Sequence, residues 1–253
     1  MRSHLSGSNM SPIVRWPNQE IGMTSRAISL LALVTALSVG CNARSSQSAH
    51  DALASPEPST GSERGLPAVH TYAHRLDDPS RDAWQKPEEV MALLDCRPGA
   101  TVVDVGAGTG YFLPYLSKRV GEQGLVLALD IGYETIASLW ERAEAQGLNN
   151  VEPRVVTADD PGLERRSADR ILIVNTWHHI DERRAYAEKL REALARGGQL
   201  LIVDFTLDAP MGPPVEKRLT VDTVVAELEA AGLETTILEE TLPYQYVVAG
   251  RTQ

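Results

Sequence analysis

Three glycines at alternate positions, Gly106, Gly108 and Gly110, follow an apolar run that contains Asp104. Glycine tolerates positive φ and lets a ligand approach the main chain closely, so this spacing describes a cradle. Other acids stand where apolar runs end: Asp130 closes GLVLALD, and Asp159 and Asp160 close VEPRVVTADD. A carboxylate accepts two hydrogen bonds readily, which suits a ligand rich in hydroxyl or amino donors. A second polar group follows the run ADRILIV, where Asn175, Trp177, His178 and His179 stand together, and Asp204 ends the run GQLLIVDF. Imidazoles and a carboxylate at such positions suit general-base catalysis.

These groups converge only if the elements between them place them at one edge. From about residue 69 onward, short apolar strands alternate with amphipathic helices. Strands are expected in ATVVDVGAG, GLVLALD, VEPRVVTADD, ADRILIVNTWHH and GQLLIVDF. Helices are expected over Thr109–Val120, with Pro114 near the first turn, and over Tyr133–Gln146, Asp181–Ala195 and Thr220–Ala231. Strands alternating with helices imply a parallel sheet covered on both faces. The last two strands, LETTILEE and YQYVVAG, are separated only by TLP, which is too short for a helical crossover. They must pair as a hairpin, which brings one antiparallel strand into the sheet. In such a fold, ligands bind at the carboxyl ends of the strands, where the glycines and acids lie.

Two familiar cofactor loops do not fit. A dinucleotide loop needs G-x-G-x-x-G, and its third glycine position is Tyr111 here. A tyrosine there would crowd a pyrophosphate seated on the helix N-terminus. No Gly-Lys-Ser/Thr follows, so the Walker pattern is absent as well.

The stretch VVDVGAGTGYF resembles the first motif of the class I S-adenosylmethionine-dependent methyltransferases, and LALD resembles their second. The resemblance runs from about Ala83 to Gly250. It implies an α/β, Rossmann-like fold with a seven-stranded, mostly parallel sheet and a C-terminal antiparallel hairpin. It implies S-adenosylmethionine as cofactor, with Gly106, Gly108 and Gly110 wrapping the methionine part and Asp130 receiving the ribose hydroxyls. Asp159, with Asp160 as the adjacent alternative, would meet the adenine amino group. Asp104 would orient the loop and the amino end of the cofactor, or simply brace the loop. Asn175, ending the fourth strand, would sit near the transferring methyl. His178 and His179 would act as base or substrate contact, or would brace their loop. Asp204 would serve as base or cap its strand. Two consecutive histidines do not readily reach one ion, so no metal is expected. The segment RLDDPSRDAWQKPEEVMALLDCRPG resembles a bacterial subgroup that often carries export signals. In related methyltransferases this region folds over the cofactor, so that Trp84 and Tyr72 would close on adenosine or substrate; alternatively Trp84 anchors the leading helix. Tyr244 and Tyr246 share a face by alternation, as pocket lining or as core.

The acceptor is narrowed by what is missing. The Asn/Asp-Pro-Pro-Tyr motif of base methylation is replaced by NTWH, and the chain has only two cysteines, short of the three needed by arsenite methylation. A net charge of -10 disfavours nucleic acid. A small molecule or a protein side chain remains. A binding module that has lost catalysis is the competing expectation, and a dehydrogenase the weaker one.

The first 68 residues read differently. MTSRAISLLALVTALSVGC, residues 23–41, has a positive start and an apolar run of signal-peptide length. Gly40 directly before Cys41 resembles a bacterial lipoprotein signal, which implies a lipid anchor at Cys41 and the periplasmic side of a membrane. Plain secretion, or a cytoplasmic protein with a misassigned start, are the alternatives. Residues 1–22 have no evident role, being disordered or an artefact of the assigned start. Residues 42–68, rich in Ser, Ala, Pro and Gly, read as a flexible linker to a domain over 69–253.

Overall fold

The computed structural model describes residues 78–252. The expected leader, Cys41, the linker and Tyr72 lie outside the described residues.

The described chain begins with two short helices, α1 (Arg81–Gln85) and α2 (Pro87–Leu94). Lys86 between them is left-handed, with φ of 43°, which turns the chain sharply. The elements that follow are β1 (Thr101–Val105), α3 (Leu113–Val120), β2 (Leu125–Asp130), α4 (Tyr133–Ala145), β3 (Val151–Val155), β4 (Ala168–Val174), α5 (Arg183–Ala193), β5 (Leu194–Phe205), α6 (Val221–Ala230), β6 (Glu234–Ile237) and β7 (Gln245–Arg251), so that strands and helices alternate except between β3 and β4 and between β6 and β7. Short 3-10 turns occupy Trp177–His179 and Val215–Lys217.

The seven strands form one sheet in the order β3-β2-β1-β4-β5-β7-β6. The pairs among β1 to β5 are parallel. β7 runs antiparallel to both β5 and β6, as the short final connection requires. The order reverses between β1 and β4, so the crevice opens above these two strands, at the switch point where doubly wound sheets bind ligands.

Alternation along each strand sorts side chains to two cores. Val102, Leu172 and Val203 pack on one face with α2, α3 and α4. Val103, Ile173 and Ile202 pack on the other with Trp177, α5 and α6. Asp104 shares the register of Val102 and so faces the first core, while Asp204 shares that of Ile202 and faces the second.

Several boundaries differ from the sequence expectation. The helix expected from Thr109 starts at Leu113, because Gly110 at φ 81° holds the chain in a turn. The third strand stops at Val155, before the acidic exit. Its Pro153 is tolerated because β3 is an edge strand. The fifth helix ends at Ala193, and the residues after it enter β5 through a register irregularity opposite Ala168–Arg170.

Candidate functional site

The turn after β1 is shaped by its glycines, each for a different reason. Gly106 has φ 74°, and a Cβ there would overlap the Thr176 side chain. That glycine lets the β1 and β4 ends close together. Gly110 serves helix packing: a Cβ would come within 2.7 Å of Leu139 and 2.9 Å of Leu113. Gly108 is different, since a Cβ there would meet nothing nearer than Gly106 O at 3.9 Å. Its open face is where a ligand can approach the backbone.

Asp130 closes β2 and holds this loop. Its Oδ2 accepts from Gly108 N at 3.1 Å, and its Oδ1 accepts from Gly132 N at 3.0 Å. A carboxylate has about four lone-pair sites, so these bonds orient it and leave acceptor capacity for ligand hydroxyls. Asp104 is buried, and among the described residues nothing hydrogen-bonds to its carboxylate. Burial pushes its pKa up to about 7; Arg81 opposes the rise and Asp130 adds to it. Asp159 is exposed on the segment after β3, and its hydrogen bond to Thr157 holds its carboxyl below the usual range. Lys189 Nζ donates to Asp159 O at 2.7 Å and to Asp160 Oδ2 at 3.0 Å, which pins this segment to α5.

Asn175 adopts φ 54° at the end of β4. Its side chain belongs to a ring of three amides. Gln85 Nε2 donates to Gln245 Oε1 at 2.8 Å, Gln245 Nε2 donates to Asn175 Oδ1 at 2.6 Å, and Asn175 Nδ2 donates to Gln85 Oε1 at 3.3 Å. Each amide gives one bond to the next, and the ring fastens α1 across the ends of β4 and β7. α1 is held at its other side too. The Asp82 carboxylate accepts from the Tyr111 and Tyr115 hydroxyls, and the Arg81 guanidinium lies 3.9 Å from the Tyr111 ring centroid. Tyr111, which excluded a pyrophosphate loop, thus anchors the leading helix. Trp84 packs on Phe205 and Tyr244, with ring centroids 5.9 and 6.5 Å apart, while Tyr246 is buried in the second core.

His178 and Asp204 come together. His178 Nδ1 lies 2.9 and 3.0 Å from the two carboxylate oxygens. Both side chains are 2% exposed. The His179 ring lies tilted by 45° to that of His178 at a centroid distance of 4.2 Å, and the residue is exposed at the surface. Partial desolvation, His178 and Lys217 hold its pKa below the ordinary imidazole value. The turn is braced from beneath: Trp177 Nε1 donates to Glu227 Oε2 at 2.9 Å, and Arg183 Nε donates to Glu227 Oε1 at 2.7 Å.

The loop after β5, residues 206–214, wraps a single guanidinium. Arg218 donates to the carbonyls of Thr206, Leu207, Ala209, Met211 and Pro213. Sequence reasoning missed Arg81, Gln85, Gln245, Arg218 and Glu227. The only hint was polar residues inside otherwise apolar faces, and the partner of Gln85 lies 160 residues away.

A family described as "Methyltransferase domain" matches residues 102–198. The chain is 34% identical to a solved SAM-dependent methyltransferase from Aquifex aeolicus, over 72% of this chain and 97% of that one, with a TM-score of 0.68. It is 25% identical over 130 residues to a demethylmenaquinone methyltransferase of Bacillus cereus, covering 51% of this chain and 54% of the relative. It is 26% identical over 124 residues to a ubiquinone/menaquinone biosynthesis C-methyltransferase of Hydrogenovibrio crunogenus, covering 49% and 48%. The chain spans about half the length of the curated relatives it matches. An open glycine at 108, a strand-end carboxylate with spare acceptor sites and a buried Asp104 with no hydrogen bond among the described residues fit the cofactor of these enzymes. With the identity to the Aquifex protein across nearly its whole length, they show that the chain belongs to the S-adenosylmethionine-dependent methyltransferase family.

Proposed function

We propose that this chain transfers a methyl group from S-adenosylmethionine to a small-molecule acceptor. The observation that carries the reading is the Asp130 carboxylate, oriented by two backbone N–H groups beside the open Gly108. The cofactor, when bound, supplies a methyl group already activated by a sulfonium. Asp130 would accept the ribose hydroxyls, Asp159 would meet the adenine amino group, and the 106–110 loop would lie along the methionine portion. Asn175 acts chiefly by holding α1 closed over the β4 end, since its amide is engaged by Gln85 and Gln245.

Methyl transfer depends mostly on alignment and exclusion of water. A base is needed where the acceptor must lose a proton. His179 suits that task better than His178, because it is exposed and its lowered pKa keeps it neutral near pH 7. His178 and Asp204, both buried and bound to each other, hold the turn that carries it. The names of the curated relatives make quinone-ring precursors the first acceptors to test.

Calorimetric titration of S-adenosylhomocysteine into the wild-type chain and Asp130→Ala tests this reading. Loss of affinity by ~1–3 kcal/mol is expected in the variant, the scale of an unpaired hydrogen-bonding group. Unchanged affinity would overturn the ribose assignment.

We further propose that residues 23–41 export the domain and that a lipid on Cys41 tethers it at the periplasmic side of a bacterial membrane. The positive start, the apolar run and the Gly40–Cys41 pair support this. Expression of the full chain and Cys41→Ala in a bacterial host should give membrane-bound wild type and a released variant. Full-length cytoplasmic protein in both cases would refute it.

A further inference from the structure

We propose that the loop after β5, residues 206–218, seats on a lipid bilayer through Leu207, Met211 and Val215. This rests on the membrane tether proposed above and adds to it the face of the domain that meets the lipid.

Of the eight large apolar side chains exposed among the described residues, three fall in this one loop: Leu207 at 46%, Met211 at 40% and Val215 at 59%. Such a concentration of exposed apolar surface marks a contact with a partner or a membrane. Its rival, Ile131, Tyr133 and Trp140, lies in a stretch that holds Glu134, Glu141 and Glu144 against Arg142 alone. Uncompensated carboxylates resist leaving water, which disfavours lipid at α4. In the β5 loop, Asp208 and Glu216 are matched by Lys217 and Arg218. Asp208 is moreover tied to the Thr206 hydroxyl and lies near Arg218. The loop is thus neutral on a chain of net charge -10.

The main chain of the loop is prepared for the same contact. Backbone groups that leave water must find partners within the protein. The Arg218 guanidinium donates to the carbonyls of Thr206, Leu207, Ala209, Met211 and Pro213 at 2.7–3.2 Å. Pro210, Pro213 and Pro214 have no N–H to satisfy. A loop that only crosses from β5 to α6 through water needs neither provision, because water bonds its carbonyls.

The sequence before the described residues favours lipid as the occupant. Residues 42–77, 36 in number, separate the proposed anchor at Cys41 from Asp78. A flexible linker of that length reaches about 30 Å on average. Such a tether keeps the domain close to the bilayer without selecting a face, and the apolar loop selects it. A neutral loop on an acidic chain binds by burying apolar side chains rather than by attraction to anionic headgroups. The loop also borders the proposed base. Lys217 is near enough to His179 to lower its pKa, and a Cβ on Gly212 would come within 2.8 Å of the Phe205 ring. Seating therefore brings His179 within reach of apolar molecules dissolved in the lipid.

The test places an environment-sensitive nitrobenzoxadiazole label on Val215→Cys in the full chain carrying Cys41→Ala. A second protein carries the label on Glu141→Cys, beside Trp140. Cys96 is buried and its thiol is pushed up to about 11, so it escapes labelling. With phosphatidylcholine vesicles the label at 215 should shift to the blue, and the label at 141 should keep its emission in water. Leu207→Ser with Met211→Ser should abolish the shift at 215 and leave the melting temperature unchanged. Phosphatidylglycerol in the vesicles should not strengthen the shift. If the chain sediments with vesicles while the label at 215 stays in water, the proposal fails and the tether stands. A chain that does not sediment with them also overturns the proposal, and membrane fractionation of the wild type then decides the tether separately. A shift seen only with phosphatidylglycerol would replace apolar seating by a charge contact at Lys217. A shift that grows with protein concentration in the absence of vesicles would make a second copy of the chain the occupant.

Discussion

The imidazole of His178 presents Nδ1 to both oxygens of Asp204, at 2.9 and 3.0 Å, with both side chains 2% exposed. Asp204 Oδ1 also accepts from Phe205 N at 2.8 Å. A pair so enclosed supports the turn between β4 and α5 before it does anything else. Removing one partner leaves a buried polar group of the other without its hydrogen bond, at a cost of about 1–3 kcal/mol. Asp204→Ala and His178→Ala should therefore each lower the melting temperature substantially, and the double variant should lose less than the sum. Additive losses in a thermal double-mutant cycle would refute the coupling.

His179 should behave in the opposite way. It is exposed, so His179→Ala should change stability by no more than about 0.5 kcal/mol. With an acceptor that must lose a proton, the same variant should slow turnover by about 100-fold or more. Because its pKa is lowered, the acid limb of the wild-type rate should lie below the ordinary imidazole range. A rate that is unaffected in the variant would remove His179 from the chemistry.

Asp104 makes stability depend on pH in a defined direction. Its folded-state pKa is raised to about 7, above the unfolded value of about 3.9. The folded state therefore binds the proton more tightly, and stability falls as pH rises from about 4 to 7 before levelling off. Asp104→Asn should gain on the wild type across that window, by an amount that stops growing above about pH 7. Parallel denaturant titrations across pH measure the difference. A constant gap between the two proteins would show that Asp104 ionises freely in the fold.

Gly106 tests the contact between the loop and β4. At φ 74°, with Thr176 against its α-carbon, alanine meets both backbone strain and overlap. Gly106→Ala should cost about 1–3 kcal/mol and weaken S-adenosylhomocysteine binding. Gly108→Ala has space around its Cβ and should cost less stability. If both variants melt alike, the packing role assigned to Gly106 is wrong.

How much of this was legible in the chain can be judged at particular residues. The parallel sheet, the single antiparallel strand and the positions of Gly106 and Asp130 at strand ends follow from local periodicity and from connection lengths, whereas Asp159 stands beyond the end of β3 at Val155. A three-residue link between the last two strands leaves the chain no other way to pair them. Such features are local, so a single sequence determines them. The tertiary structure decided which polar groups face one another. Nothing local pairs Gln85 with Gln245, sets Arg81 on the Tyr111 ring, or gathers five carbonyls of one loop around Arg218. It also separated the two histidines, burying His178 on Asp204 and leaving His179 outside. Adjacent residues on a 3-10 turn point in different directions, and the contact with Asp204, 26 residues away, is what engages the first of them.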